Sequence, residues 1–152
     1  MPAQVGQPAP DFTLVDQTRT PISLADLRGR KTLLVFFPFA FSGVCQGELC
    51  TIRDNLHGLE AADANVVAIS CDPHHANRAW TEQEGFGFKI LSDFWPHGAV
   101  SQAYGCFNDQ VGCAMRATYV LDEEGIVRAI VSTESLGQPR EFDSYQEALA
   151  AL

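Results

Sequence analysis

The chain has 152 residues, a length that suits one domain built around a single hydrophobic core. Its net charge is −9, and this disfavours nucleic acids and anionic membranes, because both attract clustered Lys and Arg. No stretch approaches the ~20 apolar residues that span a bilayer, and the first residues lack the pattern of a secretory signal. We therefore expect a soluble, cytoplasmic protein that forms one domain over residues 1–152.

Hydrophobic periodicity and turn residues predict an alternation of strands and helices. In chain order, the predicted elements are strands at 12–15 and around 22, a short helix over 23–28, a strand over 32–37, a helix over 44–57, a strand over 65–71, a helix over 73–83, a strand over 89–91, a helix over 99–104, strands over 117–121 and 126–131, and a helix over 142–152. Ser23 and Asp72 are predicted to cap the first and third helices. The order predicts an α/β, thioredoxin-like fold in which helices flank a central mixed sheet and a β-hairpin is added at the N-terminus.

The most informative segment is PFAFSGVC, from Pro38 to Cys45. It links the carboxyl end of a buried strand to the first turn of a helix, where ligands gather in α/β folds. If Ser42 is the N-cap, Cys45 occupies the third helical position, and the Ser42 hydroxyl can accept a hydrogen bond from its N–H. The positive end of the helix dipole stabilises a thiolate there. From position alone, Cys45 could equally be a buried apolar filler.

The cysteine count adds a constraint. The five are Cys45, Cys50, Cys71, Cys106 and Cys113. An odd number argues against a closed disulfide framework, and a cytosolic disulfide would be catalytic or redox-sensing. No C-x-x-C motif is present, so a zinc ribbon and a thioredoxin motif are both disfavoured. Three of the cysteines, namely Cys71, Cys106 and Cys113, are predicted to pack in the interior.

A proline, a hydroxyl and the cysteine are spaced as P-x-x-x-[T/S]-x-x-C at Pro38, Ser42 and Cys45. This pattern resembles the active-site signature of the peroxiredoxins. The segments GQPAPDFTLVDQ, LLVFFPFAFSGVCQGEL, LSDFWPHGAVSQAYG and ATYVLDEEGIVR extend the resemblance over nearly the whole chain. Within the family, CQGEL together with SDFWPHGAVSQAYG is most similar to the one-cysteine alkyl hydroperoxide reductase E group.

The resemblance implies a set of site residues. The Cys45 thiolate would attack a peroxide and become a sulfenic acid, with Pro38 and Ser42 shaping the loop. No metal or other cofactor would be needed, because sulfur supplies the electrons. Arg116, just before a predicted strand, would face the thiolate, and Glu48 would orient Arg116. On sequence alone, Arg116 could also be a strand-end arginine that reaches solvent, and Glu48 a solvated helix carboxylate.

The resemblance also implies partners. The substrates would be hydrogen peroxide, organic hydroperoxides or peroxynitrite. The reductant would be a thiol protein such as thioredoxin, mycoredoxin or glutaredoxin, and the chain would form a homodimer. A thiol-based peroxide sensor, which is oxidised once and changes a partner contact, is the competing class of function.

Cys50 departs from the one-cysteine group. It lies five residues after Cys45, the offset of the resolving cysteine in the bacterioferritin-comigratory branch. Five helical residues rise about 7.5 Å and rotate about 140°, which places the two Cα atoms about 8–9 Å apart, beyond the roughly 7 Å that a disulfide allows. We predict a Cys45–Cys50 disulfide that forms after the helix unwinds locally. The alternative is a one-cysteine enzyme resolved by an external thiol.

Overall fold

The computed structural model describes residues 2–152 and is built on a central seven-stranded sheet. The strands are β1 (Thr13–Val15), β2 (Pro21–Ser23), β3 (Lys31–Phe36), β4 (Ala64–Ser70), β5 (Lys89–Ser92), β6 (Phe107–Asn108), β7 (Cys113–Ala114), β8 (Ala117–Leu121) and β9 (Val127–Ser132). The helices are α1 (Gly43–Asp54), α2 (Leu56–Ala61), α3 (His74–Glu84), α4 (Ala99–Tyr104) and α5 (Phe142–Ala150), and Leu24–Leu27 forms a 3-10 turn. The longest helix in this range has 12 residues, and none there could carry the chain across a bilayer.

The strand order in the sheet is β2-β1-β5-β4-β3-β8-β9. β3, β4 and β5 run parallel, whereas β8 and β9 continue the sheet beyond β3 as antiparallel strands. The N-terminal hairpin of β1 and β2 lies at the opposite edge, where β1 pairs with β5. The predicted mixed sheet with an added N-terminal hairpin is confirmed. The small separate hairpin of β6 and β7 was not predicted.

Side chains of β3 alternate between the two faces of the sheet, as extended backbone requires. Leu34 and Phe36 pack on the face that contains Tyr104 of α4. Leu33 and Val35 pack on the other face, which α1, α3 and α5 cover. Both faces are therefore buried, which explains why this strand is apolar throughout.

The helix predicted over 44–57 is two helices, because α1 ends at Asp54 and α2 begins at Leu56. Asn55 lies between them with φ −115° and ψ 13°. Its side-chain Nδ2 donates to the carbonyl oxygen of Thr51 at 2.8 Å. An asparagine side chain that bonds the preceding turn competes with continued helical bonding, and this ends α1.

Ser23 caps the 3-10 turn as predicted, in a reciprocal pair with Asp26. The predicted cap of α3 is wrong, because Pro73 and not Asp72 is the N-cap residue. Asp72 instead accepts a hydrogen bond at Oδ2 from the N–H of Ala40, 2.8 Å away. The carboxylate therefore fastens the loop after β3 rather than the start of α3.

Candidate active site

Cys45 lies where the loop after β3 enters α1. Ser42 is the N-cap residue, with φ −82° and ψ 146°, so Cys45 is the third residue of the helix, as predicted. Its side chain is fully buried, and Pro38 at the start of the loop is buried as well. The first turn of α1 therefore directs its positive end toward the sulfur.

The Ser42 hydroxyl does not bond as predicted. It donates to the carbonyl oxygen of Phe39 at 2.9 Å, and among the described residues no side chain caps α1. Phe41, with φ +66°, turns the chain back so that the hydroxyl meets Phe39 rather than the N–H of Cys45. Ser42 thus stiffens the loop, and the expectation that it accepts from Cys45 is corrected.

Arg116 lies against the thiol of Cys45. It immediately precedes β8, and its side chain is 4% exposed. Nη1 lies 3.1 Å from Cys45 Sγ and 2.7 Å from Glu48 Oε1, and Nε donates to the carbonyl oxygen of Leu136 at 2.6 Å. The guanidinium is therefore fixed at both ends and faces the sulfur, rather than reaching solvent.

A second arginine, Arg140, completes the cluster. Its Nη2 is 2.8 Å from Glu48 Oε1, and its Nε is 2.9 Å from Glu48 Oε2, while its backbone N–H donates to Oε2 at 2.7 Å. Nη1 donates to the carbonyl oxygen of Phe36 at 2.6 Å and to Thr118 Oγ1 at 3.1 Å. Sequence reasoning missed Arg140, because it lies in a loop with Gly137 and Pro139, which is typical of an exposed residue.

Glu48 is buried between the two guanidinium groups. Burial alone would raise the pKa of this carboxyl, but the hydrogen bonds and charge of Arg140, with the charge of Arg116, hold it below its usual value. The carboxylate is therefore ionised at neutral pH. Two guanidiniums and one carboxylate leave a net positive charge beside the sulfur of Cys45.

Asp72 stabilises the loop that begins at Pro38. Besides the Ala40 contact, the Asp72 carbonyl oxygen accepts a hydrogen bond from Ser92 Oγ at 2.6 Å. The segments that follow β3 and β4 are thereby joined to the end of β5. The position of Asp72 directly after the predicted buried strand over 65–71 was the available sequence signal for this role.

Cys50 lies on the same unbroken helix as Cys45, and its side chain is half-buried. Its Sγ donates to Glu84 Oε1 on α3 at 3.9 Å. All five cysteines are free thiols. An intact α1 therefore keeps Cys45 and Cys50 apart, as the helix geometry predicts.

Three other thiols are buried away from solvent, as expected. Burial raises the pKa values of Cys71 and Cys106 to about 12, and it raises the pKa of Cys113 as well. Within residues 2–152, no three or more His, Cys, Asp or Glu side chains are grouped to hold a metal ion. The groups that the site offers for chemistry are a sulfur, guanidinium groups and backbone N–H groups.

A buried cysteine at a helix N-terminus on a thioredoxin-like fold, with an arginine against its sulfur, defines a thiol-dependent peroxidase. Residues 5–130 match the AhpC/TSA family model, and the chain belongs to this family, that of the peroxiredoxins. Alkyl hydroperoxide reductase E of Mycobacterium tuberculosis is 51% identical over 149 residues, which cover 97% of each chain. Peroxiredoxin-2 of Rattus norvegicus is 31% identical over 138 residues, or 84% of this chain and 69% of the relative.

Solved structures agree with this assignment. The crystal structure of AhpC from Enterococcus faecalis matches with a TM-score of 0.89 and 26% identity, over 98% of this chain and 92% of that one. The crystal structure of peroxidoxin BcpB from Mycobacterium tuberculosis matches with a TM-score of 0.85 and 30% identity, over 97% of this chain and 95% of that one. The predicted fold and enzyme class are thus confirmed.

Proposed function

We propose that Cys45 is the peroxidatic residue and that Arg116, Ser42 and Pro38 form its pocket, with Glu48 orienting Arg116. The observation that carries this proposal is the distance of 3.1 Å between Arg116 Nη1 and Cys45 Sγ in a buried site. A guanidinium in direct contact with a sulfur favours its thiolate, which is the reactive form.

In the proposed reaction, the Cys45 thiolate attacks one peroxide oxygen, and the O–O bond breaks as the S–O bond forms. The departing oxygen takes up a proton and leaves as water or an alcohol, and Cys45 becomes a sulfenic acid. Arg116 and the first N–H groups of α1 are placed to stabilise the charge on the departing oxygen. Sulfur supplies both electrons, so no cofactor takes part.

The proposed substrates are hydrogen peroxide and organic hydroperoxides, with peroxynitrite as a further one. Phe39 and Phe41 are 38% and 48% exposed in the loop before Cys45, which provides an apolar border for an organic peroxide. A relative that is 51% identical is named an alkyl hydroperoxide reductase. Stopped-flow oxidation with each of the three peroxides ranks them directly, and equal rates for hydrogen peroxide and an alkyl hydroperoxide would argue against an apolar preference.

The assignment of Cys45 and Arg116 is tested by substitution. Cys45→Ser is expected to abolish peroxide consumption, and Arg116→Gln to slow the oxidation of Cys45 by about 100-fold or more, the usual loss for one donor to a developing charge. Arg128→Gln is the matched control, because Arg128 forms an exposed ion pair with Asp122. An Arg116→Gln rate equal to that of the control would refute the role of Arg116.

We propose that Cys50 resolves the sulfenic acid as an intramolecular disulfide, which thioredoxin, mycoredoxin or glutaredoxin then reduces. Mass spectrometry after one equivalent of peroxide tests this step. A loss of two hydrogens on the peptide that contains both cysteines supports it, whereas a stable Cys45 sulfenic acid trapped by dimedone means a one-cysteine enzyme. Peroxide consumption that stops near one equivalent in the presence of each reductant would indicate a sensor instead.

The further proposals are a homodimer and a cytoplasmic location, where reducing conditions keep Cys45 available. The homodimer is supported by a set of exposed apolar side chains in the segments that follow β3 and β5 and in the turn between β6 and β7. We call it the apolar rim, and its members are Phe39, Phe41, Phe94, Trp95 and Val111. Where such side chains form one patch, they mark a protein interface.

A further inference from the structure

Cys50 is fastened to a neighbouring helix. Glu84, the last residue of α3, accepts a hydrogen bond from Cys50 Sγ at Oε1, 3.9 Å away. The carbonyl oxygen of the same residue accepts from Arg53 Nη1 at 2.7 Å. These two contacts join the second half of α1 to the end of α3 and place a carboxylate against the thiol.

We propose that Glu84 is a positioning residue that holds Cys50 as a neutral, hydrogen-bonded thiol until α1 unwinds. The inference rests on the proposed function, in which Cys50 resolves the Cys45 sulfenic acid. A carboxylate repels a neighbouring thiolate, and the thiolate is the form that attacks sulfur. The reduced enzyme therefore keeps its resolving cysteine inert, and resolution requires that Cys50 leave Glu84.

The charges around Cys50 agree with this geometry. Glu84 faces it from α3, and Arg53 and Asp54 lie near it on α1. Burial is the largest effect that raises the pKa of the Cys50 thiol; Arg53 opposes it, and Glu84 and Asp54 add to the increase. Glu84 also raises this pKa through the hydrogen bond, so it acts in two ways on one sulfur.

Once α1 has opened, Cys50 gives its proton to water and its sulfur attacks the sulfenic sulfur of Cys45. The S–S bond forms as the S–O bond breaks, and the departing hydroxide is protonated to water. Cys50 is oxidised by the Cys45 sulfenic acid itself, so the step needs no further oxidant. The longer Glu84 retains Cys50, the longer the sulfenic acid is open to a second peroxide, which would produce a sulfinic acid.

The first experiment measures the reactivity of Cys50 without any peroxide. In a Cys45→Ser background, alkylation of Cys50 by iodoacetamide is followed against pH by mass spectrometry of its peptide. Glu84→Gln is expected to shift the profile to lower pH and to speed alkylation at pH 8 by up to about tenfold. Glu82→Gln, on the exposed side of α3 and ion-paired with Arg78, is the matched control and is expected to leave the profile unchanged.

The second experiment uses protein that retains Cys45 and adds one equivalent of hydrogen peroxide. The amount of Cys45–Cys50 disulfide is measured at successive times after an acid quench. Glu84→Gln is expected to form this disulfide several-fold faster than the unsubstituted protein. In a separate sample with excess peroxide, the same variant is expected to accumulate less sulfinic acid at Cys45. An alkylation profile that Glu84→Gln leaves unchanged, or disulfide formation at the unsubstituted rate in that variant, overturns the role of Glu84 alone. A shifted profile with no disulfide in the unsubstituted enzyme overturns the resolving role of Cys50, and with it the inference.

Discussion

At the scale of single residues, the site depends on one carboxylate. Glu48 binds both Arg116 and Arg140, and the three side chains are at most 5% exposed. Charges buried this deeply are costly unless each is paired and hydrogen-bonded. Here every guanidinium that faces the site has a carboxylate or carbonyl acceptor, and the residual positive charge is directed at the sulfur of Cys45.

Removal of Arg140 tests how much this cluster contributes. Arg140→Gln is expected to lower the free energy of unfolding by about 3–5 kcal/mol, because it breaks a buried pair while Glu48 stays charged. The oxidation of Cys45 is expected to slow as well, since Glu48 then holds Arg116 less firmly. Denaturant titration and stopped-flow fluorescence measure the two effects. Arg128→Gln, in an exposed ion pair, is expected to change the stability by less than about 1 kcal/mol.

Glu48 also predicts a pH dependence. Its pKa is lower in the folded protein than in the unfolded chain, where it is about 4.3. Its contribution to stability is therefore complete above the unfolded pKa and is lost as the pH falls through the folded one. In Glu48→Gln, the free energy of unfolding should depend less steeply on pH between about 5 and 3. If the free energy of unfolding changed with pH equally in the two proteins, folding would not stabilise the ionised form of Glu48.

Sequence reasoning found the residues that lie on a local motif or at a strand end. Pro38, Ser42 and Cys45 lie within eight positions, and their order defines the entry into α1. Arg140 could not be found in this way, because its partner Glu48 is 92 positions earlier and the pair forms only when the sheet is complete. The hydroxyl of Ser42 was assigned the wrong partner because the positive φ of Phe41 has no signal in residue type.

At the scale of secondary structure, the site lies at the edge of the sheet where the parallel strands end. The parallel strands β3, β4 and β5 present their carboxyl ends together, and Asp72 links the chain segments that follow two of them. Apolar runs were sufficient to predict these strands. The break at Asn55 was not predicted, because the apolar spacing continues across it and a side-chain hydrogen bond decides where the helix ends.

The Asp72 contact can be removed without substituting any residue proposed to form the pocket. Asp72→Ala is expected to slow the oxidation of Cys45 by about tenfold to 100-fold, because the loop after β3 loses the acceptor for the Ala40 N–H and Cys45 is held less accurately. Asp72→Asn retains a side-chain oxygen at this position and is expected to recover most of the rate. Stopped-flow kinetics with one peroxide compares the three proteins. Equal losses in the Ala and Asn variants would show that charge, and not the hydrogen bond, matters.

At the scale of the whole molecule, the described chain is built on one continuous main sheet with helices on both faces, and we propose that its 152 residues fold as one domain. Two members of the apolar rim, Phe39 and Phe41, lie in the loop that leads to Cys45. His97 Nε2, 2.7 Å from the carbonyl oxygen of Gly112, ties the segment of Trp95 to the β6–β7 hairpin. This hydrogen bond fixes the part of the rim that contains Trp95, as the proposed contact with a second copy would require.

Trp95, with 82% of its surface exposed, is the residue by which to test that contact. Trp95→Asp is expected to weaken a homodimer by about 30-fold or more, the loss typical of a central aromatic anchor. Analytical ultracentrifugation over a range of concentrations measures the change. Val5→Asp alters another exposed apolar residue away from the rim and should not affect association. A monomer in the unsubstituted protein at every concentration would exclude the dimer.

The three interior thiols, Cys71, Cys106 and Cys113, have a consequence for the working life of the enzyme. While the fold is closed, burial raises the pKa of each of these thiols, so they stay in the protonated form that peroxides oxidise slowly. A transient opening would expose them, and a sulfinic or sulfonic group formed there would be too polar to return to the interior. Under oxidative stress, the durability of each molecule is therefore governed by how often it opens rather than by its equilibrium stability.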